Sequence, residues 1–142
     1  HCYQIANHMK DIYADDITLS VGAGEKLVPF LESEIAGALA DRPGPTPASG
    51  WTRLTPAADP DITAINAAFA LALLERHDLV GEGHRIYDLA GVAARDAPGV
   101  DMARFRRRFR DLEEDLGPSG YRRELVASVR DYATGRADPA AD

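Results

Sequence analysis

The stretch Ile62-Thr63-Ala64-Ile65-Asn66-Ala67-Ala68-Phe69-Ala70-Leu71-Ala72-Leu73-Leu74 is apolar nearly all the way round a helix. A helix with so little polar face to offer water belongs in the middle of a core. Asp59-Pro60 precedes it, pairing a capping side chain with a first-turn proline. Burial is expected to be nearly complete at Ile65, Phe69 and Leu73. Such a helix needs neighbours to cover it on every side, so the flanking sequence should supply amphipathic helices.

It does so in both directions. Downstream, Gly81 and Gly83 punctuate the chain before a stretch carrying Ile86, Tyr87, Leu89, Ala90 and Val92 that closes at Pro98-Gly99. Met102, Phe105, Phe109, Leu112 and Leu116 then alternate at spacings of three and four, which predicts one helix through Leu116. Gly117-Pro118 stops that helix, and Tyr121, Leu125, Val129 and Tyr132 line another. Upstream, residues 42–60 hold five prolines around Trp51 and read as a long surface loop pinned by that indole. Before the loop, Val28, Leu31, Ile35, Ala38 and Leu39 predict a helix from about 27 to 41, with Pro29 tolerated only in its first turn. Cys2, Ile5, Ala6, Met9, Ile12 and Tyr13 predict an opening helix over 2–13. Ile17, Leu19 and Val21 alternate with Thr18 and Ser20, the pattern of a short strand or extended connector. The expected fold is all-α, a five- or six-helix bundle with at most one short strand, in a single domain over 1–142.

Composition agrees with one globular domain. The chain has 142 residues, 45% hydrophobic and 27% charged, near the average for such domains. Its formal charge is −7, with 14 Arg and 2 Lys among the basic residues. That balance disfavours nucleic acid and anionic membrane as partners. The longest apolar run, Ala67 to Leu74, is too short to span a bilayer. A single cysteine, Cys2, excludes an internal disulfide. A cytoplasmic location is the default expectation. The first residue is His1 rather than Met, which admits a trimmed chain, a processed product or the tail of a longer one.

Chemistry is concentrated in the opening helix. Asn7, Asp11 and Asp15 recur every four residues and so share one helical face, drifting about 40° per step. Oxygen ligands at that spacing can hold Mg²⁺, which takes one or two carboxylates together with phosphate oxygens and water. The string from Tyr3 to Asp15 resembles the second aspartate-rich segment of the squalene/phytoene synthase family, Q-x-x-N-x-x-x-D-x-x-x-D, carried here by Gln4, Asn7, Asp11 and Asp15. The resemblance covers about a tenth of the chain. It implies an all-α class I isoprenoid synthase that binds Mg²⁺ and a diphosphate-bearing small molecule, with Asn7, Asp11 and Asp15 as the metal residues. The family's first Asp-rich helix has no counterpart here, so the resemblance also implies the C-terminal part of a longer chain, completed by a missing N-terminal half or a partner subunit. A rival string, Tyr13-Ala14-Asp15-Asp16, resembles the Y-x-D-D hairpin of retron-type reverse transcriptases and implies a fragment of a polymerase. A third reading is a non-catalytic helical interaction or regulatory module, in which the same carboxylates are the solvated end of a helix.

Other residues invite weighing. Arg104, Arg107 and Arg108 are candidates for diphosphate binding, because guanidinium forks suit phosphate oxygens. The simpler expectation for this cluster is pairing, as in Arg107–Asp111 and Arg110–Glu114 at i, i+4. Because Arg precedes acid along the helix, against its dipole, some of these arginines are expected to reach another helix. His77-Asp78 and His84 read as loop or capping residues, and Gly81-Glu82-Gly83 as a turn. If the 7–11–15 face is catalytic it should meet a cavity; if not, it should meet bulk water.

Overall fold

The computed structural model describes residues 1–22, 24–42 and 59–135. Within them the chain forms six helices: α1 (Cys2–Ser20), α2 (Gly24–Ala40), α3 (Pro60–Arg76), α4 (Ile86–Asp96), α5 (Met102–Arg110) and α6 (Gly117–Gly135). No strand occurs among the described residues. Residues 43–58, which hold Trp51 and most of the proline-rich segment, lie outside them.

α3 occupies the centre, as its composition requires, and packs against α1, α2, α4 and α5, while α6 lies along α1. Ile65 and Leu73 are fully enclosed and Phe69 nearly so. Asp59 caps the helix, its side chain accepting from the backbone N–H groups of Asp61 and Ile62. At the other end the Leu79 N–H bonds to the Leu74 carbonyl at 2.9 Å and the Asp78 N–H to the Glu75 carbonyl at 3.2 Å. This double closure needs a left-handed residue just past the cap. Asp78 supplies it, with φ of 53°.

Three expectations are corrected. The Ile17–Val21 stretch is no strand or extended connector: α1 runs unbroken through Ser20, and Gly22, with φ of 93°, ends it. The alternation had no buried face behind it, since Ile17 and Val21 are both exposed. α2 begins at Gly24, which puts Pro29 beyond the first turn. Finally, α5 stops at Arg110 instead of continuing to Leu116. Its terminal carbonyls are satisfied from outside: one Arg76 guanidinium nitrogen donates to the Arg110 carbonyl at 2.9 Å and to the Leu112 carbonyl at 2.6 Å. Leu112 and Leu116 still pack on the core, delivered by a turn.

The same Arg76 also grips Asp16 of α1 through its other nitrogens, at 2.8 to 3.2 Å. His77 adds a bond to Asp16 at 2.7 Å. Burial alone would raise the Asp16 carboxyl's pKa, but the hydrogen bonds and charges of Arg76 and His77 outweigh it and the net shift is downward. One side-chain cluster therefore locks the ends of α1, α3 and α5 together.

Candidate groove between α1, α2 and α3

Because α1 and α2 both lean on α3, a groove opens between them. Its larger chamber, about 500 Å³, is walled by Phe30, Leu31 and Ile35 of α2 and floored by Ile62, Asn66, Phe69 and Ala70 of α3, with Gln4 and His8 on the α1 side. A shallower extension shares Phe30 and continues past Leu27, Lys26, Leu19, Thr18 and Asp15. Phe30 is a large ring left 57% exposed at the junction.

The polar groups on this apolar floor are tied to one another. The Asn66 Oδ1 accepts from Gln4 Nε2 at 3.0 Å and from His8 Nε2 at 2.8 Å. Gln4 Nε2 also lies 3.2 Å from His8 Nε2; because the Asn66 oxygen can only accept, its 2.8 Å contact assigns the ring proton to Nε2. The His8 ring stacks on Phe69 at 4.2 Å between centroids, nearly parallel, and meets the edge of Phe109. His8 is only 7% exposed, and its Nδ1 is fully covered without a hydrogen-bond partner. The nearest opposite charge is Asp11 Oδ2 at 3.7 Å, beyond ordinary hydrogen-bonding distance. Burial lowers the His8 pKa, against the smaller opposing effects of the Asn66 hydrogen bond and of Asp11, through its charge and a weak hydrogen bond. The imidazole is therefore held neutral.

Of the 7–11–15 face only Asp15 reaches the groove. Asp11 is exposed, whereas Asn7 and Asp15 are half-buried and Asp15 lines the shallow extension. The drift of about 40° per step means that the three residues need not share one environment. Burial raises the Asp15 pKa, and the nearby Asp11 and Asp16 charges raise it further, with His77 opposing. Tyr13, Asp15 and Asp16 are helical, so these carboxylates do not sit in a turn between strands.

Arg104, Arg107 and Arg108 line a different cleft, with Asp111, Leu112, Glu113, Leu116 and Glu124. Arg104 and Arg108 both pair with Asp131 of α6, and Arg108 also with Glu124. Arg106 pairs with Glu75 of α3 and lies over the Tyr87 ring. Arg110 turns to the adjacent Asp111 and not to Glu114. Arg104, Arg106 and Arg108 thus reach other helices, but not because of an adverse dipole: with α5 ending at Arg110, its arginines stand at the favourable C-terminal end. His84 caps α4, its Nδ1 accepting from the Ile86 N–H at 3.3 Å. His77 holds Asp16, a role its loop position did not suggest. Cys2 is exposed.

Among the described residues, three metal-ligating side chains converge at His1, Asp59 and Asp61. Their carboxylates already serve the fold, Asp59 as the α3 cap and Asp61 as acceptor for the Tyr132 hydroxyl. Sequence reasoning passed over Asn66 and His8 as groove residues. The signal was present in both: an amide inside an apolar helix must find a partner, and Gln4 and His8 stand one turn apart on the face that meets it.

No helix among the described residues is long and apolar enough to cross a membrane. No curated protein and no solved structure matches the chain. A family model matches residues 1–134, nearly the whole sequence, and the chain belongs to that family, DUF5781, a family of unknown function.

Proposed function

We propose that this chain is a non-catalytic helical binding module whose ligand sits in the α1/α2/α3 groove. The observation that carries this reading is the polar cluster on the groove floor. Part-buried Gln4 and Asn66 and buried His8 bond to one another on an otherwise apolar floor, and one nitrogen among them, His8 Nδ1, is covered yet unpartnered. Such an atom costs free energy unless something else meets it. An apolar concavity of this size with a few convergent polar groups is the usual form of a small-ligand site.

A fragment screen followed by amide chemical shifts tests this. Hits should move the resonances of Gln4, His8, Asn66 and Phe69, and Asn66→Leu should weaken them by about tenfold, the value of one lost polar contact, while leaving the helical circular dichroism intact. Hits confined to other surfaces, or equal binding by the variant, would overturn the reading.

A second reading has its own support in Asp15. A carboxyl pushed up by burial and by like charges marks a place where a divalent cation is electrostatically welcome. In this reading, an Mg²⁺-dependent class I isoprenoid synthase-like chain, Asn7, Asp11 and Asp15 hold the metal and through it the diphosphate, while Arg104, Arg107 and Arg108, which line a different cleft, are not on that face. Calorimetry should then show Mg²⁺ uptake strengthened by inorganic diphosphate and lost in Asp11→Asn. A folded sample that takes up neither would rule it out.

A further inference from the structure

We propose that His1, Asp59 and Asp61 bind a divalent transition-metal ion, Zn²⁺ by the chemistry of the donors, where the starts of α1 and α3 meet.

The donors come from two distant parts of the chain. His1 immediately precedes α1, Asp59 caps α3 and Asp61 lies in its first turn. One ligand atom from each lies within 4.8 Å of the other two. The closest approach is His1 Nε2 to Asp59 Oδ2, at 3.0 Å. Two atoms that each bind zinc at about 2.0–2.2 Å, separated by the tetrahedral angle, stand about 3.4 Å apart. This pair is therefore already near the spacing an ion imposes, and the third donor has little more than a bond length to close.

The roles of the two carboxylates in the fold also orient them for an ion. The Asp59 cap uses Oδ1, which accepts from the Asp61 N–H at 2.9 Å, and turns Oδ2 toward the imidazole. Asp61 is 9% exposed and accepts from the Tyr132 hydroxyl at 3.0 Å. The His1 ring stacks on that same tyrosine, 5.1 Å between centroids. Outer contacts of this kind hold metal ligands in position. The His1–Asp59 hydrogen bond is then the metal-free form: a proton stands where the ion binds, and the ion displaces it.

Donor chemistry selects the metal. An imidazole beside two carboxylates suits Zn²⁺, whereas Mg²⁺ and Ca²⁺ favour oxygen alone. The N-terminal end of α3 opposes a cation with about half a unit of positive charge, which two carboxylates outweigh. His1 is exposed, which gives the ion a way in, and three protein ligands leave a fourth position to water. The bound ion clamps the start of α1 to the start of α3.

The test is calorimetric titration of Zn²⁺ into the chain without an affinity tag at neutral pH, with Co²⁺ as a paramagnetic substitute to locate the ion. One ion per chain should bind, Mg²⁺ should not displace it, and Co²⁺ should first broaden the amide signals of Asp59, Asp61, Ile62 and Tyr132. Asp59→Asn, which keeps a good helix cap, and His1→Gln, at an exposed position, should each weaken Zn²⁺ by about tenfold or more. Tyr132→Phe, which leaves all three ligands in place, should weaken it by about tenfold. Cys2→Ser should change nothing. A folded chain that takes up no Zn²⁺ overturns the site, as does uptake that both ligand variants retain. Loss of uptake in Cys2→Ser, or broadening centred on His77 or His84, assigns the ion to a stray thiol or imidazole and overturns it equally.

Discussion

Replacing Phe69 with alanine is expected to cost about 3–5 kcal/mol, the range for deleting a buried phenylalanine ring. The ring is 7% exposed, stacked on His8 and set edge-on to Phe109. Removing it leaves a hole between α1, α3 and α5 that the central helix cannot collapse to fill, because its neighbours Ala68 and Ala70 have no side chain to move in. The net stability of an ordinary domain is only about 5–15 kcal/mol, so the variant should be close to unfolding. The check is the urea midpoint, which should fall sharply at unchanged slope. An unchanged midpoint would remove α3 from the centre of the fold.

Breaking the Asp16–Arg76 cluster should have the next largest effect. Arg76→Met keeps the apolar stem, but it strips Asp16 of its guanidinium and leaves the Arg110 and Leu112 carbonyls without their donor. The two side chains are 14% and 21% exposed, so the full cost of orphaning a buried charge does not apply, and about 2–4 kcal/mol is expected. The pH dependence identifies the cause. The folded Asp16 pKa is lowered, so its contribution is present above the unfolded carboxyl value of about 3.9 and disappears as pH falls through the folded value. The difference between wild type and Arg76→Met should therefore be full at neutral pH and shrink in acid. A difference that is independent of pH would assign the loss to packing of the stem.

How far the sequence anticipates this architecture depends on the range of each interaction. Periodicity in α3 and α5 is local and strong, and it places Ile65, Leu73, Phe105 and Phe109 in the core where they lie. It fails where local pattern lacks a tertiary counterpart. Ile17 and Val21 alternate like a strand yet have nothing to pack against, and the helix simply continues. It also fails where a distant side chain intervenes: the spacing of Phe109, Leu112 and Leu116 suits one helix, but Arg76, more than thirty residues away, offers the carbonyls a better arrangement. The groove is legible only in part. That Asn66 needs a partner follows from its neighbours; that Gln4 and His8 provide it, across 62 and 58 residues, follows only from how α1 crosses α3. The 7–11–15 spacing correctly puts those residues on one face, but spacing alone does not say that the face is divided between water and groove.

The most direct measurement of the groove's chemistry is the pair of ring nitrogen shifts of His8, followed by long-range proton–nitrogen correlation at neutral pH with and without a fragment that shifts Gln4, Asn66 and Phe69. A neutral ring protonated at Nε2, whose nitrogen shifts move when the fragment is added, is the predicted result. An imidazolium, a proton on Nδ1, or ring shifts indifferent to the fragment while the protein is folded would contradict it.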